Sequence, residues 1–240
     1  MANALEYTIL AKYYDVLFWN TKDYKAEALE IRRAIEKYKK SSGSDLIDVA
    51  CGTGRHLSYL SKWYLCTGVD LNREMLKLAK KNAKNVRLLQ ADMTQLRMKK
   101  KFDAVTCLFS AIGHLNSYQN LEKAIKNFSA LLKPGGILII DGWFDTRHWT
   151  PGYVHAISTD TGRIKIARAS FSGRRGRTSW HEDHWLIAEW GKGVRYVVDR
   201  QEQGLFERGR FLKMLGENGF RARTVKSPLP GRYRYLGVRL

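Results

Sequence analysis

The sequence predicts an α/β fold in which a doubly wound, mostly parallel sheet carries an inserted antiparallel β lobe. Two observations support this prediction. Apolar, strand-like runs alternate with helix-like segments from Tyr24 to Phe144, which is typical of a parallel sheet covered on both faces. Residues 153–206 are then rich in β-branched and aromatic residues interrupted by glycine turns, which is typical of antiparallel strands.

The parallel sheet is predicted from apolar runs separated by amphipathic segments. The runs are DLIDVA, CTGVDL, VRLLQAD, FDAVTCLFS and GILIIDGWF. Apolar residues recur at helical spacing in YKAEALEIRRAIEKYKK, REMLKLAKKNA and NLEKAIKNFSALLK, and a shorter helix is expected over 56–63. Ligands of such sheets bind at the carboxyl ends of the strands near the switch in strand order, so we expect the site at that edge.

The sequence predicts two domains, because the antiparallel segment interrupts the α/β part of the chain. Residues 145–204 form the insertion, with about four strands broken by DTG, SGRRG and WGKG. Residues 1–144 together with 205–240 form the main domain. In its last part, ERGRFLKMLGENGF is expected to be a closing helix, and RARTVKS and RYRYLGVRL are expected to be the final strands.

Composition restricts the class of protein. The chain has 240 residues, of which 44% are hydrophobic and 12% aromatic, as in globular proteins. No apolar run approaches the ~20 residues of a membrane span, and the N-terminus lacks the basic start of a signal peptide, so a cytoplasmic protein without membrane association is expected. The three cysteines lack metal-ligand spacing, so no metal site is expected. The net charge of +19 suits nucleic acid, an anionic small substrate or a lysine-rich surface, and does not distinguish them.

The stretch IDVACGTGRHLSYL places Gly52, Thr53 and Gly54 between a predicted strand and a predicted helix. A glycine turn at this position lets backbone N–H groups approach a ligand. The next two predicted strands end at Asp70, whose carboxylate suits a ribose diol, and at Asp92 in QADM. The full G-x-G-x-x-G spacing of dinucleotide folds is absent. The alternative is that the glycines only form a turn and the acids only cap helices.

With these motifs in this order, the sequence resembles the class I S-adenosylmethionine-dependent methyltransferases, which have a Rossmann-like fold. The resemblance implies that S-adenosylmethionine is the cofactor. It also implies that the glycine motif contacts the methionine part, that the second-strand acid holds the ribose, and that the third-strand acid and its neighbour flank the adenine. The implied cofactor-binding residues are Tyr14, Tyr24, Ala50, Gly52, Gly54, Asp70, Leu71, Asp92, Met93 and Leu108.

A narrower resemblance covers most of the chain. The segments YYDVLF with KDY, LFSAIGHL, LKPGG, DGWF leading to WTPGYV, and PLPGRYRYLGV are similar to those of sugar-nucleotide N-methyltransferases that dimethylate amino sugars, relatives of glycine N-methyltransferase. This resemblance implies methyl transfer to a small-molecule amine, which in this group belongs to a nucleotide-linked amino sugar, in a pocket covered by the β insertion. The implied acceptor-site residues are Tyr7, His114, Trp143, Phe144 and Arg232. The family's Trp-Trp-Phe-Pro reads Trp143-Phe144-Asp145-Thr146 here, so the acceptor is defined less closely than the cofactor.

His114 is the candidate catalytic residue. An amine must be neutral to attack, and a histidine with a pKa near ~6.5 can accept its proton, directly or through water, or orient it. The alternative is that His114 caps the helix that begins in NSYQNLEKA.

Two other functions stay open from the sequence. The net charge favours an RNA methyltransferase, but the chain has no separate RNA-binding module, no N-P-P-Y-like motif and no catalytic cysteine pair. The other is a non-catalytic S-adenosylmethionine-binding protein. HEDH at 181–184 lacks metal-ligand spacing, so no metal is expected there. Arg174, Arg175 and Arg177 are expected at the tip of a hairpin in solvent. The acceptor, the number of methyl groups transferred and the oligomeric state, including a homodimer, are left open.

Overall fold

A computed structural model describes residues 4–18, 22–227 and 231–240, with the side chains of the first helix described from Leu10 onward. The helices are α1 (Ala4–Phe18), α2 (Tyr24–Tyr38), α3 (Arg55–Leu60), α4 (Arg73–Asn82), α5 (Tyr118–Leu131) and α6 (Arg208–Glu217), and a 3-10 helix spans Ala111–Leu115. None of the helices in these described ranges is long and apolar enough to cross a membrane.

Within the described residues, the larger sheet has seven strands and the smaller sheet has four. The larger sheet contains β1 (Asp45–Val49), β2 (Leu65–Asp70), β3 (Arg87–Gln90), β4 (Phe102–Cys107), β5 (Leu132–Asp141), β10 (Phe220–Lys226) and β11 (Tyr233–Arg239). The smaller sheet contains β6 (Val154–Asp160), β7 (Ile164–Arg175), β8 (Thr178–Glu189) and β9 (Gly193–Gly204).

The strand order of the larger sheet is β10-β11-β5-β4-β1-β2-β3. The strands from β1 to β5 pair in parallel, whereas β11 is antiparallel to both β5 and β10. The order reverses between β1 and β4, and this is the place where sheets of this kind bind ligands. The predicted mostly parallel, doubly wound sheet and the separate antiparallel sheet are both confirmed.

Some predicted element boundaries are wrong. The third strand ends at Gln90 rather than at Asp92, because Asp92 accepts a hydrogen bond from the backbone of Thr94 and starts a turn. The fourth strand ends at Cys107 rather than at Ser110, because the chain turns into left-handed backbone at Phe109. The first helix, α1, was not predicted.

Alternate residues of the central strands face opposite layers of helices. Leu46, Ala104 and Ile137 point toward α2 and α3, while their neighbours Ile47 and Val105 point toward α5 and α6. All of these side chains are buried. Burial on both faces explains why the strands read as continuous apolar runs in the sequence.

Helix α1 connects the two sheets. Its apolar side chains pack on the inner face of the small sheet, and the Tyr13 hydroxyl donates a hydrogen bond to Glu189 over 2.8 Å. Toward the larger sheet, the Asp15 carboxylate accepts hydrogen bonds from Thr53 Oγ1 (2.6 Å), Arg55 Nε (3.0 Å) and Asn82 Nδ2 (2.9 Å). Asp15 therefore holds α1 over the glycine turn that follows β1.

We expect Asp15→Ala to lower the free energy of unfolding by about 2 kcal/mol, because donors in the glycine turn and α4 lose a charged acceptor. Hydrogen exchange should show faster exchange in α1. Lys12→Ala on the same helix is the control, since its side chain is 45% exposed and its ion pair with Glu189 is superficial. Equal protection of α1 in both variants would contradict this role of Asp15.

Candidate active site

The turn after β1 is built from left-handed backbone at Ala50, Gly52 and Gly54, whose φ values are 59°, 55° and 73°. A Cβ atom added to Gly54 would lie 3.0 Å from the Cβ of Ala79 in α4. One added to Gly52 would meet nothing within 4 Å. The fold itself therefore requires Gly54, whereas the space over Gly52 is open to a ligand.

The carboxylate of Asp70 lies beside this turn at the end of β2. Its Oδ2 accepts a hydrogen bond from Gly52 N (2.7 Å) and its Oδ1 accepts one from Asn72 N (2.8 Å). Burial raises the pKa of Asp70 above its usual value, although these backbone donors act in the opposite direction. The next side chain, Leu71, is 65% exposed and offers an apolar surface at the same edge.

The remaining predicted cofactor residues follow β3 and β4. Asp92 Oδ1 accepts hydrogen bonds from Thr94 N (2.7 Å) and Thr94 Oγ1 (2.8 Å). The backbone carbonyl of Met93 accepts a hydrogen bond from Asn127 Nδ2 over 2.8 Å. Leu108 follows β4 and is buried. Because β1 to β4 are parallel, these residues lie at the sheet edge that also carries the glycine turn.

The arrangement fits an adenosyl cofactor. Gly52 leaves space for a ligand to approach the backbone, and the orientation of the Asp70 carboxylate is set by two backbone donors. Each carboxylate oxygen has a further lone pair with which it can accept a ribose hydroxyl. The exposed Leu71 provides an apolar surface for a flat base. We therefore expect Ala50, Gly52, Asp70 and Leu71 to hold the cofactor, with Asp92 and Met93 beyond them.

Aromatic side chains form a wall beside this edge. The Tyr14 and Phe18 rings lie 4.9 Å apart, and both face the Phe109 ring edge-on, at 6.5 Å and 5.6 Å. The Tyr24 ring packs on His56 at 5.0 Å. The two predicted tyrosines therefore belong to one aromatic region, which Lys22 bridges.

Lys22 was overlooked in the sequence. Its ammonium lies 3.4 Å from the centroid of the Phe109 ring and 4.7 Å from that of Tyr24, and its side chain is only 6% exposed. Its ion pair with Glu27 measures 3.1 Å, and Glu27 is shared with His56. Burial lowers the pKa of Lys22, while Glu27 opposes that effect. A buried ammonium near the glycine motif can hold the carboxylate at the methionine end of the cofactor.

His114 is on the 3-10 helix that follows β4. It is not the cap of α5, because Ser117 accepts the capping hydrogen bond from Asn120 N. Its side chain is exposed, yet burial lowers its pKa from 6.5 to about 4, with a smaller contribution from His181. A Cβ atom added to the preceding Gly113 would lie 3.1 Å from the Cβ of Trp143 and 3.3 Å from that of Gln203, so His114 lies in a recess where the 3-10 helix meets the small sheet.

Arg232 packs against two aromatic rings near the same recess. Its guanidinium carbon is 4.2 Å from the centroid of the Trp143 ring and 4.7 Å from that of Phe144, and its Nη1 donates to Ser110 Oγ over 3.2 Å. Trp143 Nε1 in turn donates to Ser179 Oγ on β8 over 2.9 Å. Arg232 and Trp143 therefore connect the main domain to the small sheet.

The structure separates the predicted residues into two groups. Residues of the glycine turn and of the β2 and β3 ends lie at one part of the sheet edge, and His114, Trp143, Phe144 and Arg232 lie beside the small sheet. The side chain of Tyr7 is outside the described residues. Asp15, Lys22 and Asp141 lie in the segments YYDVLF, KDY and DGWF, but the sequence assigned them no role, because their contacts join segments that are distant in the chain.

The fold and this edge together define the class of proteins that bind an adenosyl cofactor at the carboxyl ends of a doubly wound sheet. A family model described as "Methyltransferase domain" matches residues 46–136.

Similarity to known proteins extends over nearly the whole chain. The chain is 30% identical over 231 residues to the dTDP-3-amino-3,6-dideoxy-alpha-D-glucopyranose N,N-dimethyltransferase of Streptomyces fradiae. The aligned region covers 95% of this chain and 90% of the relative. It is 33% identical over 230 residues to the dTDP-3-amino-3,4,6-trideoxy-alpha-D-glucopyranose N,N-dimethyltransferase of Streptomyces venezuelae, covering 95% and 97%. A solved structure of an amino pentose methyltransferase from Micromonospora echinaspora, with SAM bound, is 29% identical, has a TM-score of 0.86 and covers 95% of this chain and 97% of that one.

The chain belongs to the family of sugar N,N-dimethyltransferases that use S-adenosylmethionine. The predictions of a methyltransferase and of its cofactor are thereby confirmed. The roles of the individual residues stay predictions, which the following variants test.

Gly52→Ala and Gly54→Ala should separate cofactor binding from folding. Both place a side chain in left-handed backbone, at a cost of about 1 kcal/mol. We expect Gly52→Ala to fold but to bind S-adenosylhomocysteine at least ~10-fold more weakly, because its methyl group enters the open space. Gly54→Ala should lose more stability, because its methyl group meets Ala79. Unchanged calorimetric affinity of Gly52→Ala would show that the cofactor does not occupy that space.

Lys22→Met should weaken the binding of S-adenosylhomocysteine by about 10- to 100-fold, because the ligand carboxylate loses a buried cation. The affinity for 5′-methylthioadenosine, which lacks the amino-acid end, should change less than about threefold. Lys22→Arg keeps the charge and serves as the control. Equal losses for both ligands, measured by calorimetry, would show that Lys22 acts only on the fold.

Proposed function

We propose that this enzyme transfers a methyl group from S-adenosylmethionine to the amine of a nucleotide-diphosphate-linked amino sugar. The names of both full-length relatives describe dTDP-linked amino sugars as acceptors, which supports this class of substrate. The observation that carries the proposal is the environment of Arg232. The small sheet, within residues 145–204, is proposed as the cover of the acceptor pocket.

Arg232 is suited to bind a diphosphate. Its guanidinium packs against Trp143 and Phe144, and one of its donors, Nε, is buried without a hydrogen-bond partner among the described residues. Burial lowers the pKa of Arg232 to about 10, with Asp141 acting in the opposite direction, so the group remains charged at neutral pH. A partly desolvated, oriented guanidinium with a free donor binds a phosphate oxygen more strongly than a solvated one does.

S-adenosylmethionine supplies an electrophilic methyl group when it is bound. The protein aligns the amine and excludes water, which is the main requirement of an in-line displacement. His114, with its pKa near 4, is neutral at physiological pH and too weak a base to hold the amine's proton. We therefore assign it a positioning role, in which a ring nitrogen accepts a hydrogen bond from the neutral amine and directs the lone pair.

His114→Ala should lower kcat by about 100-fold, and His114→Asn should lower it less, because the asparagine carbonyl can still accept a hydrogen bond. Since His114 titrates near 4 and loses its acceptor only below that value, the ratio of wild-type to His114→Asn kcat/KM should stay constant from roughly pH 6 to 9. Protonation of the amine affects both enzymes equally. A ratio that changes near pH 6.5 would indicate that the ring exchanges the proton.

Arg232→Lys should raise the acceptor KM severalfold or more and leave the affinity for S-adenosylhomocysteine unchanged, because a point charge replaces a planar pair of donors. The comparison variant replaces Arg174, Arg175 and Arg177 by alanine at the tip between β7 and β8. Its acceptor KM should change little at low or high salt.

The same two variants test the RNA hypothesis. If RNA is the acceptor, the triple variant should weaken binding and reduce its steep salt dependence, whereas Arg232→Lys should have a small effect. Methylation of total RNA with labelled cofactor, together with an effect confined to the triple variant, would reject the nucleotide-sugar proposal.

A further inference from the structure

The inner face of the small sheet is divided into an apolar half and a polar half. Ile166, Trp185 and Ile187 form the apolar half, and α1 packs against them. Toward the other end of the sheet, the residues on the same face are polar. They are Arg168, Ser170, His181, Asp183, Asp199, Gln201 and Gln203.

The polar half contains buried charges. Asp183 and Asp199 are 4% and 2% exposed and lie directly opposite each other on β8 and β9. Arg168 Nη1 is 3.6 Å from Asp183, and His181 Nε2 is 3.8 Å from the same carboxylate. Gln201 Nε2 donates to Asp199 over 2.5 Å. Apolar replacements of such buried charge sets are often neutral or stabilising, so stability does not explain why this half is polar.

This half faces the residues proposed for the acceptor. Ser179, which accepts the hydrogen bond of Trp143, is on the same face of β8 as His181 and two residues before it. A Cβ atom added to Gly113, the neighbour of His114, would lie 3.3 Å from the Cβ of Gln203. The polar half therefore borders the recess that contains His114.

Several polar atoms of this face lack partners. Within the described ranges, the donors Arg168 Nε and Trp185 Nε1, the hydroxyl of Ser170 and the acceptor Gln203 Oε1 are buried and make no hydrogen bond. Such groups are costly unless a ligand or water pairs with them. A ring that carries several hydroxyl groups supplies both donors and acceptors to such a face, and a deoxygenated ring supplies fewer.

We propose that the polar half of the inner face makes the enzyme selective for an amino sugar that retains ring hydroxyl groups, with His181 and the Arg168–Asp183 pair as specificity-determining residues. This inference rests on the proposed function. A site built to hydrogen-bond a hydroxyl discriminates strongly against the analogue that lacks it, because its own polar groups are then left unpaired. The two full-length relatives, as named, act on acceptors that differ in a single hydroxyl group, the one at C4.

The test uses matched pairs of dTDP-amino sugars that differ only in the hydroxyl next to the amino group, with the amino group at C3 in one pair and at C4 in the other. For whichever pair is methylated, wild-type kcat/KM should be at least ~10-fold higher for the hydroxylated member. His181→Met should reduce this preference severalfold, mainly by lowering kcat/KM for the hydroxylated member. Asp183→Asn, which keeps the shape of the side chain, should act in the same direction.

His184→Met is the matched control, because His184 is on the opposite face of the same strand and pairs with Glu182. It should leave the preference unchanged. Thermal unfolding and S-adenosylhomocysteine affinity show which variants are folded. Equal kcat/KM for both members, or a preference that survives in folded His181→Met and Asp183→Asn, would overturn this inference while the proposed function stands. Absence of methylation of every acceptor would instead overturn the proposed function, and this inference with it.

Discussion

The buried carboxylate of Asp141 is the contact on which both parts of the site depend. At the end of β5 it accepts hydrogen bonds from Phe109 N (3.1 Å) and from Arg234 Nε (2.7 Å) on β11. Phe109 and Ser110 are both in left-handed backbone, with φ values of 51° and 60°. Two such residues in succession cost about 1 kcal/mol each or more, and they persist only where the surroundings hold them. Asp141 holds the first of them, and the carbonyl of Gly142 accepts the hydroxyl of the second.

This turn sets the relation between the proposed cofactor side and the proposed acceptor side of the site. The Phe109 ring contacts Lys22 and faces Tyr14 in the aromatic wall. Ser110 accepts the hydrogen bond of Arg232 and precedes the 3-10 helix that carries His114. A change in the turn would move both the aromatic wall and the 3-10 helix that carries His114. This explains why a strained backbone is tolerated between them.

Motifs whose chemistry is local could be predicted from the sequence. The glycine turn, the acid at the end of β2 and the alternation of apolar strands with helices each depend on residues close together in the chain. The end of the third strand was predicted wrongly. The side chain of Asp92 competes with the sheet for backbone hydrogen bonds, and β3 ends at Gln90. Helix α1 was missed; the contacts that hold it, those of Asp15 and the apolar contacts with the small sheet, join segments that are far apart in the chain.

The resemblance of the whole chain placed His114 and Arg232 near the acceptor, but it did not define their physical state. The low pKa of His114 depends on enclosure by protein that is distant in sequence, including β8. Similarly, the contact of Arg232 with Trp143 and Phe144 brings together segments almost 90 residues apart in the chain. From the sequence, the HEDH segment showed only that successive side chains point to opposite faces of a strand. Which face is enclosed, and what its histidine meets there, depended on how the sheet packs.

By itself, the sequence determined the class of fold, because apolar periodicity acts through neighbouring residues, and its resemblance to a known family implied the cofactor. The tertiary structure alone decided how the two sheets meet, which buried charges line the inner face of the small sheet, and which groups Lys22, Asp141 and His181 contact. Desolvation and long-range pairing set the properties of those groups, and both arise only when segments far apart in the chain are packed together.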